Sequence, residues 1–110
     1  MAPRRPFRYI LWDAANRNHV LADGGDHPER EIFEEDVDEV VKGTQHPVLV
    51  MEDDLVKGER RLDLLGATAH GRILMVTVAP QPFDAARPVA ARDATDAEAE
   101  LYEARLGGGR

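Results

Sequence analysis

The residues best suited to chemistry in this sequence are the arginines between positions 60 and 92. They are Arg60, Arg61, Arg72, Arg87 and Arg92. A guanidinium group stays charged and can bind a phosphate through two hydrogen bonds at once. Such groups suit the binding of an RNA backbone, and they can stabilise the charge of a phosphoryl transition state. The alternative interpretation is that these arginines only keep the edges of a sheet soluble.

Several other site chemistries are excluded or weakly supported. The sequence has no cysteine and no serine, so thiolate metal sites and serine or cysteine nucleophiles are excluded. No glycine-rich phosphate loop follows a predicted strand. The histidines lack the usual metal-binding spacings, and they stand at His19, His27, His46 and His70. We therefore expect neither a metal nor a cofactor.

Length and charge limit the class of protein. A chain of 110 residues predicts a single domain, which we place at residues 7–106, with flexible termini at 1–6 and 107–110. No apolar run is long enough to span a membrane, and the lack of cysteine fits a reducing cytoplasm. The net charge is -7, and residues 20–54 contribute most of it with twelve acidic and two basic side chains. That acidic run is typical of the solvated face of a helix.

The first half of the chain predicts one strand and two helices. Phe7–Trp12 is apolar and aromatic, as in a short strand, and Asp13 can cap a helix that follows it. Asp26 and Glu29 resemble a capping box for a second helix, which an apolar stripe extends to Gly43.

The second half predicts the sheet that must position the arginines. Alternating patterns indicate strands at Val48–Glu52, Arg60–Thr68, Arg72–Ala79 and Arg87–Arg92, with a turn beginning at Asp53-Asp54. Thr95 and Glu98 form a capping box that opens a last helix. The order predicts an α+β fold with an antiparallel sheet of about four to five strands and two to three helices. Arginines near matching ends of adjacent strands would then converge on one anion.

Several short motifs follow one another in a fixed order over residues 7–104. They are Trp12-Asp13, Asn16, His19, Leu65-Gly66-x-Thr68, Gly71-Arg72-x-Leu74-x-Val76, Arg87-Pro88-Val89-x-Ala91-Arg92-x-Ala94 and Glu98-x-x-x-Tyr102. In this order and spacing the sequence resembles the BrnT-type toxin family of small bacterial proteins. The resemblance implies a RelE-like fold and metal-independent cleavage of RNA. It also implies a cognate antitoxin encoded in the same type II toxin–antitoxin system.

Roles for individual residues follow from the resemblance. It implies that the catalytic groups are His19, Arg72 and Arg92. It implies phosphate binding by Arg60 or Arg61, and we add Arg87 as a third candidate. Metal-free cleavage needs a group that takes the 2′-OH proton and cations that stabilise the phosphorane, and histidine has a suitable pKa for the first task.

Two departures from the family pattern keep a second function open. Asp23 stands where family members usually have a second histidine, and an insertion at Gly25–Glu31 follows it. The alternative is a catalytically inactive family member that binds a partner protein through the acidic helix Glu29–Glu39. The sequence also leaves open a homo-oligomer and the question of which residue, Arg60 or Arg61, faces the site.

Overall fold

The structure is a computed structural model that describes residues 2–3, 7–21, 31–43 and 46–107. Its strands are β1 (Ala2–Pro3), β2 (Tyr9–Ile10), β3 (Leu49–Val56), β4 (Glu59–Ala67), β5 (Ile73–Gln81) and β6 (Ala85–Asp93). Its helices are α1 (Ala14–Val20), α2 (Glu34–Lys42) and α3 (Asp96–Tyr102), and a π-helical turn at Glu103–Gly107 continues α3. The predicted α+β class is confirmed. Among the described helices, none is long and apolar enough to cross a membrane.

The strands form one sheet in the order β1-β3-β4-β5-β6-β2. The four long strands, β3 to β6, are an antiparallel meander, as the alternating patterns predicted. The two-residue strands extend this meander at both edges. Since β2 pairs with β6 in parallel, the complete sheet is mixed.

The first hairpin of the meander is longer than predicted. The predicted turn at Asp53-Asp54 is wrong, because both residues lie within β3 and pair with Leu62 and Arg61 of β4. The chain turns instead at Lys57-Gly58, where φ is 51° and 82°. Two left-handed residues give a turn whose twist matches that of the flanking strands, and glycine adopts this conformation without steric cost.

The sheet has two differently covered faces. On the face that we call the helix face, α1 and α2 pack over a core that includes Leu62, Leu64 and Val76. On the opposite face, the α3 face, a smaller cluster forms around Tyr102, with Leu65 and Met75 beneath it. The Tyr102 hydroxyl donates a hydrogen bond of 2.6 Å to the Pro47 carbonyl, which ties α3 to the start of β3.

Helix α2 begins later than the sequence predicts. Residues 31–33 are not helical, and Phe33 is the N-cap. The backbone N–H of Phe33 donates to a carboxylate oxygen of Asp36 at 3.1 Å, and three acidic residues in the first turn complement the positive end of the helix dipole. The predicted cap, Asp26 with Glu29, lies outside the described residues. The predicted end at Gly43 is confirmed, with φ of 63°.

Candidate functional site

The register of β5 and β6 decides which face each arginine occupies. Ala90 lies opposite Thr77 and Pro88 lies opposite Val78, so Val89 is an extra residue without a partner on β5. Such a β-bulge shifts the alternation of side chains by one position. Arg87 and Arg92 are an odd number of residues apart and would face opposite sides of a regular strand. The bulge puts both on the α3 face, opposite Ala79 and Met75.

Two of the predicted phosphate-binding arginines meet at a single carboxylate. The Nη2 atom of Arg87 donates to both carboxylate oxygens of Glu59, at 2.7 Å each. Arg61 donates to Oε1 of the same carboxylate from Nε and Nη2, each at 3.4 Å. All three side chains are partly exposed. We call Arg61, Glu59 and Arg87 the Glu59 cluster.

The two arginines also line a cavity of about 360 Å³ beside the start of α1. Asp13 and Asn16 line its other side, next to Pro88. Asp13 caps α1 by accepting a hydrogen bond of 2.8 Å from the Asn16 backbone N–H. The chain reaches this position because Leu11 donates its N–H to the Ala86 carbonyl, which extends the pairing of β2 along β6. The helix predicted to contribute to the site therefore begins beside the Glu59 cluster.

The charges of the Glu59 cluster suit the binding of an anion. The hydrogen bond from Arg87 is the main cause that lowers the pKa of the Glu59 carboxyl group below its usual value, and Arg61 adds to the effect. Glu59 is therefore ionised at neutral pH, and it is a weak proton acceptor while both arginines bind it. Two guanidinium groups around one carboxylate also give the cluster an excess of positive charge, which can attract a phosphate.

Arg92 lies on the same face but at a distance from the Glu59 cluster. Met75 and Ala79, the residues opposite Arg92 and Arg87, are four positions apart on β5, which corresponds to about 13 Å. Arg92 binds both carboxylate oxygens of Glu98 on α3, at 2.7 and 3.0 Å. In this structure Arg92 therefore fastens α3 to the sheet.

Arg72 lies on the helix face, so the structure separates it from Arg92. Its Nε and Nη2 atoms donate to the two carboxylate oxygens of Asp93, at 2.7 and 3.0 Å. Its Nη1 atom donates to the carbonyl of Glu31 and lies 3.9 Å from a carboxylate oxygen of Asp36. These contacts join the β4–β5 hairpin to β6 and to α2.

Three other residues singled out in the sequence, Arg60, His19 and Asp23, are not among the members of the Glu59 cluster. Arg60 lies opposite Leu55, on the other face from Arg61, and forms a two-bond ion pair with Asp53 at 3.0 and 2.8 Å. His19 belongs to α1. Asp23 lies outside the described residues.

The carboxylates of α2 are largely engaged within the chain. Glu34 binds Arg17, Asp38 accepts from the Trp12 indole at 2.8 Å, and Glu39 accepts from the Ala69 backbone N–H at 3.2 Å. Burial is the main cause that raises the pKa of Asp38, and the bond from Trp12 opposes it. These contacts fix α2 against α1 and the β4–β5 hairpin.

Sequence reasoning missed Glu59, which adjoins the predicted arginines in the chain. The signal that could have found it is the pair Lys57-Gly58, which is typical of a hairpin turn and places Glu59 at the start of β4. No group of three potential metal ligands occurs within the described ranges. Compared with protein-family models, with curated proteins and with solved structures, the chain shows no match.

Proposed function

We propose that this protein is a BrnT-like toxin of a type II toxin–antitoxin system, a cytoplasmic ribonuclease that works without metal at the Glu59 cluster. The observation that supports this most is the convergence of Arg61 and Arg87 on one carboxylate. A carboxylate held by two guanidinium groups marks a place where a phosphate can bind with similar geometry. A cognate antitoxin and RNA are the partners that this proposal requires.

The proposed reaction uses each member of the Glu59 cluster. A backbone phosphate of RNA takes the hydrogen bonds that Arg87 and Arg61 give to Glu59, and the freed carboxylate accepts the proton of the neighbouring 2′-OH. The O2′–P bond forms while the P–O5′ bond breaks, and water protonates the leaving 5′ oxygen. The products are a 2′,3′-cyclic phosphate and a 5′-hydroxyl end. Both arginines stabilise the additional negative charge of the phosphorane.

Binding of the phosphate also makes Glu59 a better base. Arg87 is the main cause of the lowered pKa of Glu59, and a carboxylate with a low pKa accepts protons poorly. When the phosphate draws Arg87 away, that pKa rises towards its ordinary value. The Glu59 carboxylate therefore becomes a better proton acceptor only when substrate is bound.

The experiment compares Arg87→Ala with Arg60→Ala, a matched control on the opposite face of the sheet that also loses a two-bond ion pair with one carboxylate. Each variant is expressed in a bacterial host, and each purified protein is incubated with total RNA in excess EDTA. We expect Arg87→Ala to relieve growth inhibition and to slow cleavage by roughly 100-fold or more. Arg60→Ala should behave as wild type. Equal activity of the two variants, or a wild-type protein that cleaves no RNA, would contradict the proposal.

The second hypothesis, an inactive family member that binds its partner through α2, receives less support. Four carboxylates of this helix, those of Glu34, Asp36, Asp38 and Glu39, contact other groups of the chain. A partner that used them would have to break contacts that hold the helix in place.

A further inference from the structure

An exposed apolar groove lies at the end of the sheet where β2 meets the β5–β6 turn. Phe83 is 90% exposed, Tyr9 56% and Leu11 45%. Together with Ile10 and Pro82 they line a cavity of about 640 Å³. We call this surface the Phe83 groove. Large apolar side chains clustered at one place on a surface are typical of protein–protein contact sites.

The backbone at Phe83 shows that the exposed ring has a conformational cost. Phe83 and Asp84 have φ of 65° and 59°, the left-handed pair that a tight hairpin requires. Asparagine and glycine suit these positions, whereas a bulky side chain raises the energy of the turn. A ring that is 90% exposed recovers almost none of this cost through packing within the chain. Contact with another molecule would recover it.

The charge of the groove indicates the chemistry of its occupant. Among the described residues that line it, Lys42 is the only charged one, in a protein of net charge -7. Within the described part of the chain Lys42 forms no close ion pair of the kind seen at the arginines, although its charge lowers the pKa of Asp38, one turn earlier in α2. An occupant with a carboxylate at this point would gain a partly buried ion pair. A second copy docked symmetrically would offer this groove only the lining of its own groove, in which none of the described residues carries a carboxylate.

We propose that the Phe83 groove binds a segment of a different protein that presents apolar side chains and one carboxylate, the latter to Lys42. The ring of Phe83 is the central apolar contact, and Tyr9 and Leu11 form the walls beside it. None of these residues belongs to the Glu59 cluster. The groove can therefore bind its partner whether or not the protein cleaves RNA.

A displayed library of random 12-residue peptides, selected on the wild-type protein, tests the groove directly. We expect the enriched peptides to carry at least two apolar residues and an Asp or Glu. Phe83→Asn should weaken their binding roughly 30-fold or more, since aromatic anchors dominate such contacts. This variant suits the left-handed turn and so keeps the fold. The matched control is Leu55→Ser, which removes a residue of 75% exposure on β3, outside the groove, and should bind as wild type.

A second variant tests the charge. Lys42→Gln should reduce the affinity of the acidic peptides roughly two- to fivefold, and it should leave their acid-free versions unchanged. The proposal would be overturned if the enriched peptides were basic, or if they bound Phe83→Asn as tightly as wild type. It would also be overturned if Leu55→Ser weakened their binding as much as Phe83→Asn does. A failure to enrich any peptide would overturn it too. A concentration-dependent dimer that Phe83→Asn abolishes would make a second copy the occupant, which also overturns it.

Discussion

At the scale of single residues, Phe83 and Glu59 are the positions at which the two proposed partners would bind. Phe83 occupies a left-handed backbone position with its ring in solvent, and Glu59 holds two arginines that a phosphate could bind. Phe83 has a conformational cost that contact with a partner would offset. Glu59 occupies the two arginines in the place that a phosphate would take. The stability of the protein and its binding should therefore respond in opposite directions to changes at such residues.

Replacing Phe83 with asparagine should stabilise the protein. Asparagine tolerates the left-handed conformation that Phe83 adopts at φ of 65°, so the turn loses a conformational penalty. We expect the free energy of unfolding to rise by about 1 kcal/mol, measured by urea denaturation. Phe83→Ala removes the same ring without gaining the preference of asparagine, so it should change stability less. A loss of stability in Phe83→Asn would mean that the ring packs within the chain.

At the scale of the elements, α3 is held by a short polar network. Thr95 accepts a hydrogen bond from the Glu98 backbone N–H at 3.2 Å, and the Glu98 side chain accepts from the Thr95 N–H at 2.9 Å. Arg92 adds a two-bond ion pair to the same carboxylate. The hydrogen bond from Arg92 is the main cause that lowers the pKa of Glu98 to about 2. The cap of α3 therefore depends on an ionised carboxylate.

Acid should weaken this cap in a defined range of pH. Because the pKa of Glu98 falls from 4.5 to about 2 on folding, its stabilising effect is complete above about pH 4.5 and is lost as the pH falls towards 2. Glu98→Gln removes that part of the pH dependence. We expect unfolding free energies measured between pH 5 and about pH 2.5 to fall less steeply in Glu98→Gln than in wild type. Glu100→Gln, an exposed change on the same helix, should keep the wild-type slope.

The elements also show which features the sequence can and cannot predict. Local signals gave the cap of α1 at Asp13, the end of α2 at Gly43 and the cap of α3 at Thr95, because each depends on residues within a few positions. The start of α2 and the turn after β3 were misplaced. In both places an acidic stretch resembles a turn or a cap, whereas the cap of α2 lies at Phe33 with Asp36 and the turn lies at Lys57-Gly58.

At the scale of the whole molecule, Arg72 joins parts of the chain that are far apart in sequence. It contacts Asp93 at the end of β6, Glu31 before α2 and Asp36 within α2. The side chain is partly buried, so these hydrogen bonds are less exposed to water than those of a surface ion pair. This position favours a structural role for an arginine that the family resemblance assigns to catalysis.

Arg72→Gln should therefore destabilise the fold. Its hydrogen bonds to a carboxylate and a carbonyl are lost, and we expect the free energy of unfolding to fall by about 2 kcal/mol in urea denaturation. Arg60→Gln, which breaks an exposed ion pair, should change it by less than about 0.5 kcal/mol. A variant Arg72→Gln as stable as wild type, but inactive on RNA, would instead support the catalytic role.

The general architecture follows from the sequence, but the composition of the site does not. Alternating apolar residues predict the four long strands and hence the α+β class. The face of Arg87 relative to Arg92 depends on a bulge beside Pro88, and proline is equally typical of a strand edge or start, so pattern alone could not place Arg87 with Arg61.

The unpaired Val89 also means that the gene can lose one codon here without losing the site. Without Val89, Arg87 and Arg92 would be four positions apart, the same separation as Ala79 and Met75 opposite them, so both arginines would stay on the α3 face. An in-frame loss of these three nucleotides would therefore straighten β6 and leave Arg87 opposite Ala79. Loss of a single codon between Arg61 and Leu65 of β4, which has no such spare residue, would instead put Arg61 and Leu65 on opposite faces.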